Sequence, residues 1–261
     1  MDIIKWNDFL RTSNKKDYAV SLGVFDGVHL GHQVLLKSLV KNAKQMNAIP
    51  AVFTFCSSPK KMTRTDNHAY VQPVQERLNC FEHIGIEKVF MIDFTENFSK
   101  MTGVSFWDFV RSHINVQYLA LGDDFRMGHK GAMGTEEIIG YFSRLSQAPQ
   151  IDTFASVTVK GKRVSSSLLR QSISAGDVPA YYEMTGRRYL LYGEAFPGMS
   201  DKKKVPIVLP PAGCYRADVL EIDCSVREQN KIVCIENGGK YTGDSAGNYV
   251  LRLFEKTSIE I

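Results

Sequence analysis

The sequence predicts an α/β protein: a mostly parallel sheet with helices on both faces, followed by a smaller antiparallel β-barrel-like domain. Three observations carry this. From the N-terminus to Met184, short apolar runs alternate with stretches whose apolar residues fall at helical spacing. A glycine-rich turn separates the first long apolar run from the first long helical stripe. Beyond Gly186 the helical spacing stops, and short β-type runs separated by turn residues take over.

The elements follow in order. Residues 18–22 read as a buried strand, and Leu36, Leu39, Val40 and Ala43 form the stripe of the helix after it. Residues 51–55 are the next strand, and Val74, Leu78, Phe81 and Ile84 give a second helix. A strand at 88–92, a helical stripe through Phe106, Phe109, Val110 and Ile114, and a strand at 118–121 come next. Ile138, Ile139, Phe142 and Leu145 mark the last long helix of this part. Continuously apolar strands of this kind belong to parallel sheets covered on both faces. Such sheets bind ligands beyond the carboxyl ends of their strands, at the switch point. That directs attention to the turn after Leu22 and to the loops after Phe55 and Leu121. In the tail, β-runs are expected at 189–192, 205–209, 215–222, 231–235 and 249–254, with turns at 237–239 and 244–248.

Composition narrows the class. A chain of 261 residues fits one large domain or two smaller ones, and 44% hydrophobic with 23% charged residues is ordinary for a soluble globular protein. The apolar runs are too short to span a bilayer, and Asp2, Lys5 and Asp8 occupy the place of a secretory apolar segment, so a cytoplasmic protein is expected. Cysteines 56, 80, 214, 224 and 234 are odd in number and lack any metal-ligand spacing, which reads as reduced thiols. The ten-residue recurrence of Cys214, Cys224 and Cys234 reads as strand-facing hairpin positions. A net charge of +4 and the short runs Lys60-Lys61 with Arg64 and 202–204 make no nucleic-acid footprint. They suit a polyphosphate pocket, the first run lying where a nucleotide passes and the second in a solvated loop. The expected partners are small molecules, neither nucleic acid nor membrane, with a homo-oligomer left open.

Chemistry concentrates in Gly23-Val24-Phe25-Asp26-Gly27-Val28-His29-Leu30-Gly31-His32. A tight turn that opens a helix presents backbone N–H groups and the positive helix end to an anion. Gly23, Gly27 and Gly31 carry no side chain to block its approach. His29 and His32, three apart at the helix start, share a face and reach one ligand from an exposed turn. After the strand at 118–121, Asp124 and Arg126 supply polar groups, Phe125 an aromatic face, and Gly128 a flexible loop position. Ser165, Ser166 and Ser167 open a further helix, where Ser165 or Ser166 serves as the cap, with Arg170 one turn in.

The H-x-G-H pair resembles the nucleotidyltransferase signature. With Phe25-Asp26-Gly27 before it, the string resembles more narrowly the bacterial FAD synthetase family, bifunctional riboflavin kinases/FMN adenylyltransferases. Gly122-Asp123-Asp124-Phe125-Arg126 and Gly128 resemble that family's G-x-[DN]-F-x-F-G block, and 165–170 its S-S-T-x-x-R block, with Ser167 in place of the threonine. The resemblance implies a Rossmann-like nucleotidyltransferase domain over 1–186 and a riboflavin-kinase-like β domain over 187–261. It further implies transfer of AMP from ATP, with Mg²⁺, to FMN, giving FAD and pyrophosphate. His29, His32 and Arg170 would be catalytic. Gly23, Phe25, Asp26, Gly27, Gly31, Asp124, Phe125, Arg126, Gly128, Ser165, Ser166 and Ser167 would contact nucleotide or flavin, and no metal ligand is assigned.

Two departures stand against this. Phe55-Cys56-Ser57-Ser58-Pro59 replaces the family's F-D-P-H-P, losing a carboxylate and an imidazole. The tail lacks the kinase string P-T-A-N and its later glutamate base, keeping only a P-x-G-x-Y turn at 211–215. FAD synthesis without riboflavin kinase activity is therefore expected. The alternatives are a flavin- or nucleotide-binding relative with weakened turnover, and a nucleotidyltransferase for another phosphate acceptor.

Overall fold

The computed structural model describes residues 1–11, 15–56, 69–193, 206–241, 243 and 249–258. The expected features at 57–59, Lys60-Lys61, Arg64, 202–204 and the 244–248 turn lie outside these residues. The chain divides into two compact units, the first comprising 1–25, 31–66 and 78–157 and the second 26–30, 67–77 and 158–261.

A six-stranded, all-parallel sheet organises the first unit. Its strands are β1 (Asp2–Lys5), β2 (Asp17–Leu22), β3 (Ile49–Phe55), β4 (Lys88–Ile92), β5 (Asn115–Gly122) and β8 (Gln150–Phe154), in the order β1-β4-β3-β2-β5-β8. The chain runs outward from β2 through β3 to β4, then returns to lay β5 along the other side of β2. The switch point thus falls between β2 and β5. The helices are α1 (Trp6–Phe9), α2 (Leu30–Gln45), α3 (Val74–Ile84), α4 (Glu96–Ser99), α5 (Gly103–His113) and α6 (Thr135–Phe142), of which α2 and α3 each run from one unit into the other. Caps fix their starts: Thr95 Oγ1 accepts from Phe98 N at 3.2 Å and Thr102 Oγ1 from Ser105 N at 3.1 Å. The apolar stripes read from the sequence face inward, with Leu36, Leu39, Phe81, Val110 and Ile138 fully covered and Val74, Ile84, Phe109, Ile139 and Leu145 half-buried. Aromatic rings dominate the core. Phe53 stacks on Phe90 at 4.5 Å, and Phe106 meets Phe53 edge-on at 5.7 Å. Short strands β6 (Arg126–Met127) and β7 (Met133–Gly134) fold the loop after β5 into a hairpin.

The second unit holds the hairpin β9 (Thr158–Val159) and β10 (Lys162–Arg163), the helices α7 (Ser166–Ser174) and α8 (Val178–Thr185), and a four-stranded antiparallel sheet. That sheet runs β11 (Tyr189–Tyr192), β14 (Val250–Lys256), β12 (Gly213–Leu220), β13 (Val226–Ile235). Gly186, at φ 69, ends α8 and begins the change to β structure.

Three tail expectations are corrected. The run at 205–209 does not form a strand among the described residues: Ile207 makes an isolated bridge to Tyr70, and Pro206 has no N–H to extend a ladder. Cys214 and Cys234 are not thiols but a disulfide. The β12–β13 register sets them directly opposite, with Cα atoms 4.1 Å apart. Cys224 is not strand-facing; it sits exposed in the connecting turn at φ 65. The disulfide closes a loop over a separation of 20 residues, a length for which loop-closure entropy contributes about 3 kcal/mol. Cys214→Ser, or treatment with dithiothreitol, should therefore lower the melting temperature of the wild-type chain, while dithiothreitol should leave the melt of the Cys214→Ser/Cys234→Ser variant unchanged.

Candidate active site

The string from Gly23 to His32 leaves the carboxyl end of β2, and its residues are divided between the units. Gly23 to Phe25 and Gly31 onward belong to the first, Asp26 to Leu30 to the second. The turn is buried from Phe25 through His29, not exposed as expected, and His29 itself is 8% exposed. Local geometry explains why the residue types matter. Phe25, Gly27 and Val28 all have positive φ, at 52, 80 and 34°. For a β-branched valine this is strained backbone, maintained only where surrounding bonds over-determine it. At Gly27 the φ of 80° makes any side chain strained, and a Cβ would also lie 2.5 Å from the Leu169 Cδ1 methyl, which would have to shift.

Within the second unit those bonds are explicit. The Asp26 carboxylate, 3% exposed, accepts from Val71 N at 3.0 and 3.1 Å and from Arg170 Nη2 at 2.8 Å. Burial pushes its pKa above the ordinary carboxylate value, and the Arg170 guanidinium pulls the other way. Arg170 Nε also donates to Ala69 O at 2.8 Å. Ser166 Oγ donates to Asp26 O at 2.8 Å, and Ser165 Oγ caps α7 by accepting from Leu168 N at 3.2 Å. Ser167 is exposed. Sequence reasoning assigned Arg170 and the serines to phosphate. The structure shows Arg170 Nε, Arg170 Nη2 and the Ser166 hydroxyl already committed to the turn and to the 69–71 backbone. Arg187, in the string Gly186-Arg187-Arg188-Tyr189 that continues the family resemblance, received no site role from the sequence: its guanidinium donates to Gly27 O at 2.9 Å and to Val28 O at 3.2 Å. That role has no local signal, because its partners are backbone carbonyls far away in sequence.

Within the first unit, Phe25 folds over Gly23 and meets the His32 ring edge-on at 5.1 Å. A cavity of about 680 Å³ opens beyond the carboxyl ends of β2, β3, β4 and β5. Its wall includes Gly23, Phe55, Phe94, Phe98, Phe106 and Phe125, and the polar rim runs from Arg126 through Gly128 to Gly131. Volume and lining suit a flat aromatic ligand. The loop is held rigidly: Gly128, at φ 75, packs so closely that a Cβ would stand 2.6 Å from Gly103 N. Arg126 Nε donates to Gly131 O at 2.8 Å. Asp124 faces a separate recess with Arg126, Thr135 and Glu137. Thus Gly23, Phe125, Arg126 and Gly128 are brought to one cavity, while in the other unit Asp26, Ser166 and Arg170 form one hydrogen-bonded group and Gly27 is held by Arg187. Phe94 and Phe98 were not singled out from the sequence, since their aromatic spacing resembles any helix stripe.

Among the described residues no group of three or more His, Cys, Asp or Glu side chains is arranged to hold a metal, and no helix is long and apolar enough to cross a membrane.

A parallel sheet with a glycine–histidine turn after its first central strand, and an aromatic cavity at the switch point, defines a Rossmann-like nucleotidyltransferase fold. The chain belongs to the FAD synthetase family, whose model matches residues 11–168. It is 29% identical over 197 residues to the bifunctional riboflavin kinase/FMN adenylyltransferase of Bacillus subtilis (strain 168), covering 74% of this chain and 60% of that protein. The protein of the same description from Escherichia coli (strain K12) is 27% identical over 237 residues, 84% of this chain and 74% of the relative. The match to the Bacillus protein thus spans little more than half of that relative's length. A crystal structure of a macrolide-efflux protein from Streptococcus pneumoniae shares the fold at TM-score 0.78 and 22% identity, over 98% of both chains.

Asp26→Ala should expose the importance of the buried pair. It leaves the Arg170 guanidinium and Val71 N without their acceptor, a loss of about 3–5 kcal/mol for a broken buried ion pair. Urea unfolding should show that drop, and Asp26→Asn, which keeps a carbonyl acceptor, should recover part of it.

Proposed function

We propose that the protein transfers AMP from ATP to FMN, releasing pyrophosphate and forming FAD, and that it has no riboflavin kinase activity. The observation that carries this reading is the aromatic cavity at the strand ends, in a chain of the FAD synthetase family. The FMN ring system would enter that cavity against Phe55, Phe98 and Phe125, with the Arg126–Gly131 loop as its polar rim. An FMN phosphate oxygen attacks the α-phosphorus in line; the new P–O bond forms as the bond to the β-phosphate bridging oxygen breaks. No protein nucleophile is needed, so catalysis rests on position and charge.

His29 and His32 would donate to the triphosphate as charge builds on it and on leaving pyrophosphate. A neutral imidazole donates through one N–H and a cationic one through both, so either form can serve. Phosphate oxygens would also meet the N-terminus of α7, with the Ser165 and Ser167 hydroxyls as donors. Arg170, through Nε and Nη2, acts chiefly by holding Asp26 and with it the turn. With no carboxylate cage among the described residues, Mg²⁺ would travel with the triphosphate, held by its oxygens and water. In this reading residues 1–186 perform the transfer and 187–261 form a β domain derived from a riboflavin kinase. Cys56-Ser57-Ser58 in place of the family's acid and imidazole favours slower turnover, and a binding-only relative is the second reading.

Incubation of the pure protein with ATP, Mg²⁺ and FMN, followed by chromatography, should yield FAD. Binding of FMN without FAD would support the second reading, and FAD-free turnover with another phosphate acceptor would overturn the choice of FMN. His29→Ala or His32→Ala should lower turnover on the order of 10²-fold, as for one lost transition-state donor. A variant retaining wild-type turnover would remove that residue from the mechanism.

The tail provides a separate test. With riboflavin, ATP and Mg²⁺ as the only substrates, no FMN should form, because the P-T-A-N string and the glutamate base are absent from 187–261. FMN appearing at a rate similar to FAD synthesis would sink the claim.

A further inference from the structure

We infer that Arg187 is the positioning residue for His29. The inference rests on the reading of His29 as a triphosphate contact. Arg187 lies beyond the stretch matched to the family, in the string Gly186-Arg187-Arg188-Tyr189 that continues the family resemblance in the sequence but to which the sequence assigns no role. Its guanidinium forks onto two successive carbonyls: Nη2 donates to Gly27 O at 2.9 Å and to Val28 O at 3.2 Å, and Nη1 also donates to Val28 O at 3.2 Å. No peptide here is cis, so each carbonyl fixes its whole peptide plane. The second of these planes ends on the His29 Cα. Its orientation therefore sets the direction from which the imidazole departs.

The same contact sits where the backbone most needs restraint. Gly27 and Val28 hold φ of 80 and 34° in sequence, and a valine left to itself abandons that region. Arg187 is itself anchored. Its N–H donates to Thr185 Oγ1 at 3.1 Å, Nη1 donates to Thr185 O at 3.3 Å, and Gly186 supplies the left-handed turn between them. The end of α8 thus delivers a planar, permanently charged fork to two carbonyls of the histidine turn. Lysine cannot substitute, since a single ammonium does not reproduce the fork.

The test uses the full chain carrying Arg187→Ala or Arg187→Lys, with ATP, Mg²⁺ and FMN. Misplacement of His29 should lower kcat on the order of 10²-fold in R187A, with a smaller loss in R187K and an unchanged KM for FMN. Guanidinium ion at millimolar concentration should restore part of the R187A rate, and urea should not. Independently of turnover, the imidazole ¹⁵N signals of His29, assigned by His29→Gln, should move in R187K without substrate while those of His83 stay in place. If the wild-type chain makes no FAD, the functional reading fails and the ¹⁵N signals still decide the positioning role. If R187A does not fold, R187K carries both measurements. Wild-type kcat in a folded variant, or activity lost only in step with lost fold and with unmoved His29 signals, overturns the inference.

Discussion

A buried carboxylate cannot stand alone, and Asp26 does not. Its two oxygens collect the Val71 N–H and the Arg170 guanidinium at 2.8–3.1 Å, which offsets a desolvation cost of several kcal/mol. Once Asp26 is fixed, the chain has little choice. The carbonyls of residues 26, 27 and 28 are claimed in turn by Ser166, Arg187 and Arg187 again, and two of the residues so held, Gly27 and Val28, have positive φ. The histidine turn is thus shaped from behind, by side chains gripping its carbonyls.

The first unit contributes a different kind of recognition. Its parallel sheet ends in a cavity whose apolar walls are rich in phenylalanine and whose rim is a glycine-containing loop. Ring recognition is an area effect that tolerates approximate placement; phosphoryl transfer tolerates almost none. Under the proposed function, the aromatic pocket of the first unit answers the first of these demands.

Legibility in the sequence followed the range of the interactions. The strands at 18–22, 51–55 and 88–92 and the helices between them were readable, because apolar periodicity is local and the sheet is covered on both faces. The Ser165 cap and the Gly186 terminus were readable for the same reason. The Cys214–Cys234 pairing was not, since it depends on the β12–β13 register. The run at 205–209 misled because Pro206 limits a segment that otherwise looks like a strand. At the candidate site, the glycines and histidines announced themselves by type and spacing. The partners of Arg187 and of the 69–71 backbone did not: Arg187 stands in a family-like string, but a guanidinium on a distant carbonyl leaves no pattern in either partner.

Those separations also order events in time. Asp26 lies 140 residues before Ser166 and 144 before Arg170, and Gly27 lies 160 before Arg187. During synthesis at about 5–20 residues per second, the histidine string emerges and then waits many seconds without the groups that shape it. Contacts of such long sequence separation are also the slow ones in folding. The turn on which the proposed chemistry depends is therefore made long before the groups that give it form. Until α8 is complete, a nascent chain carries the motif without the geometry.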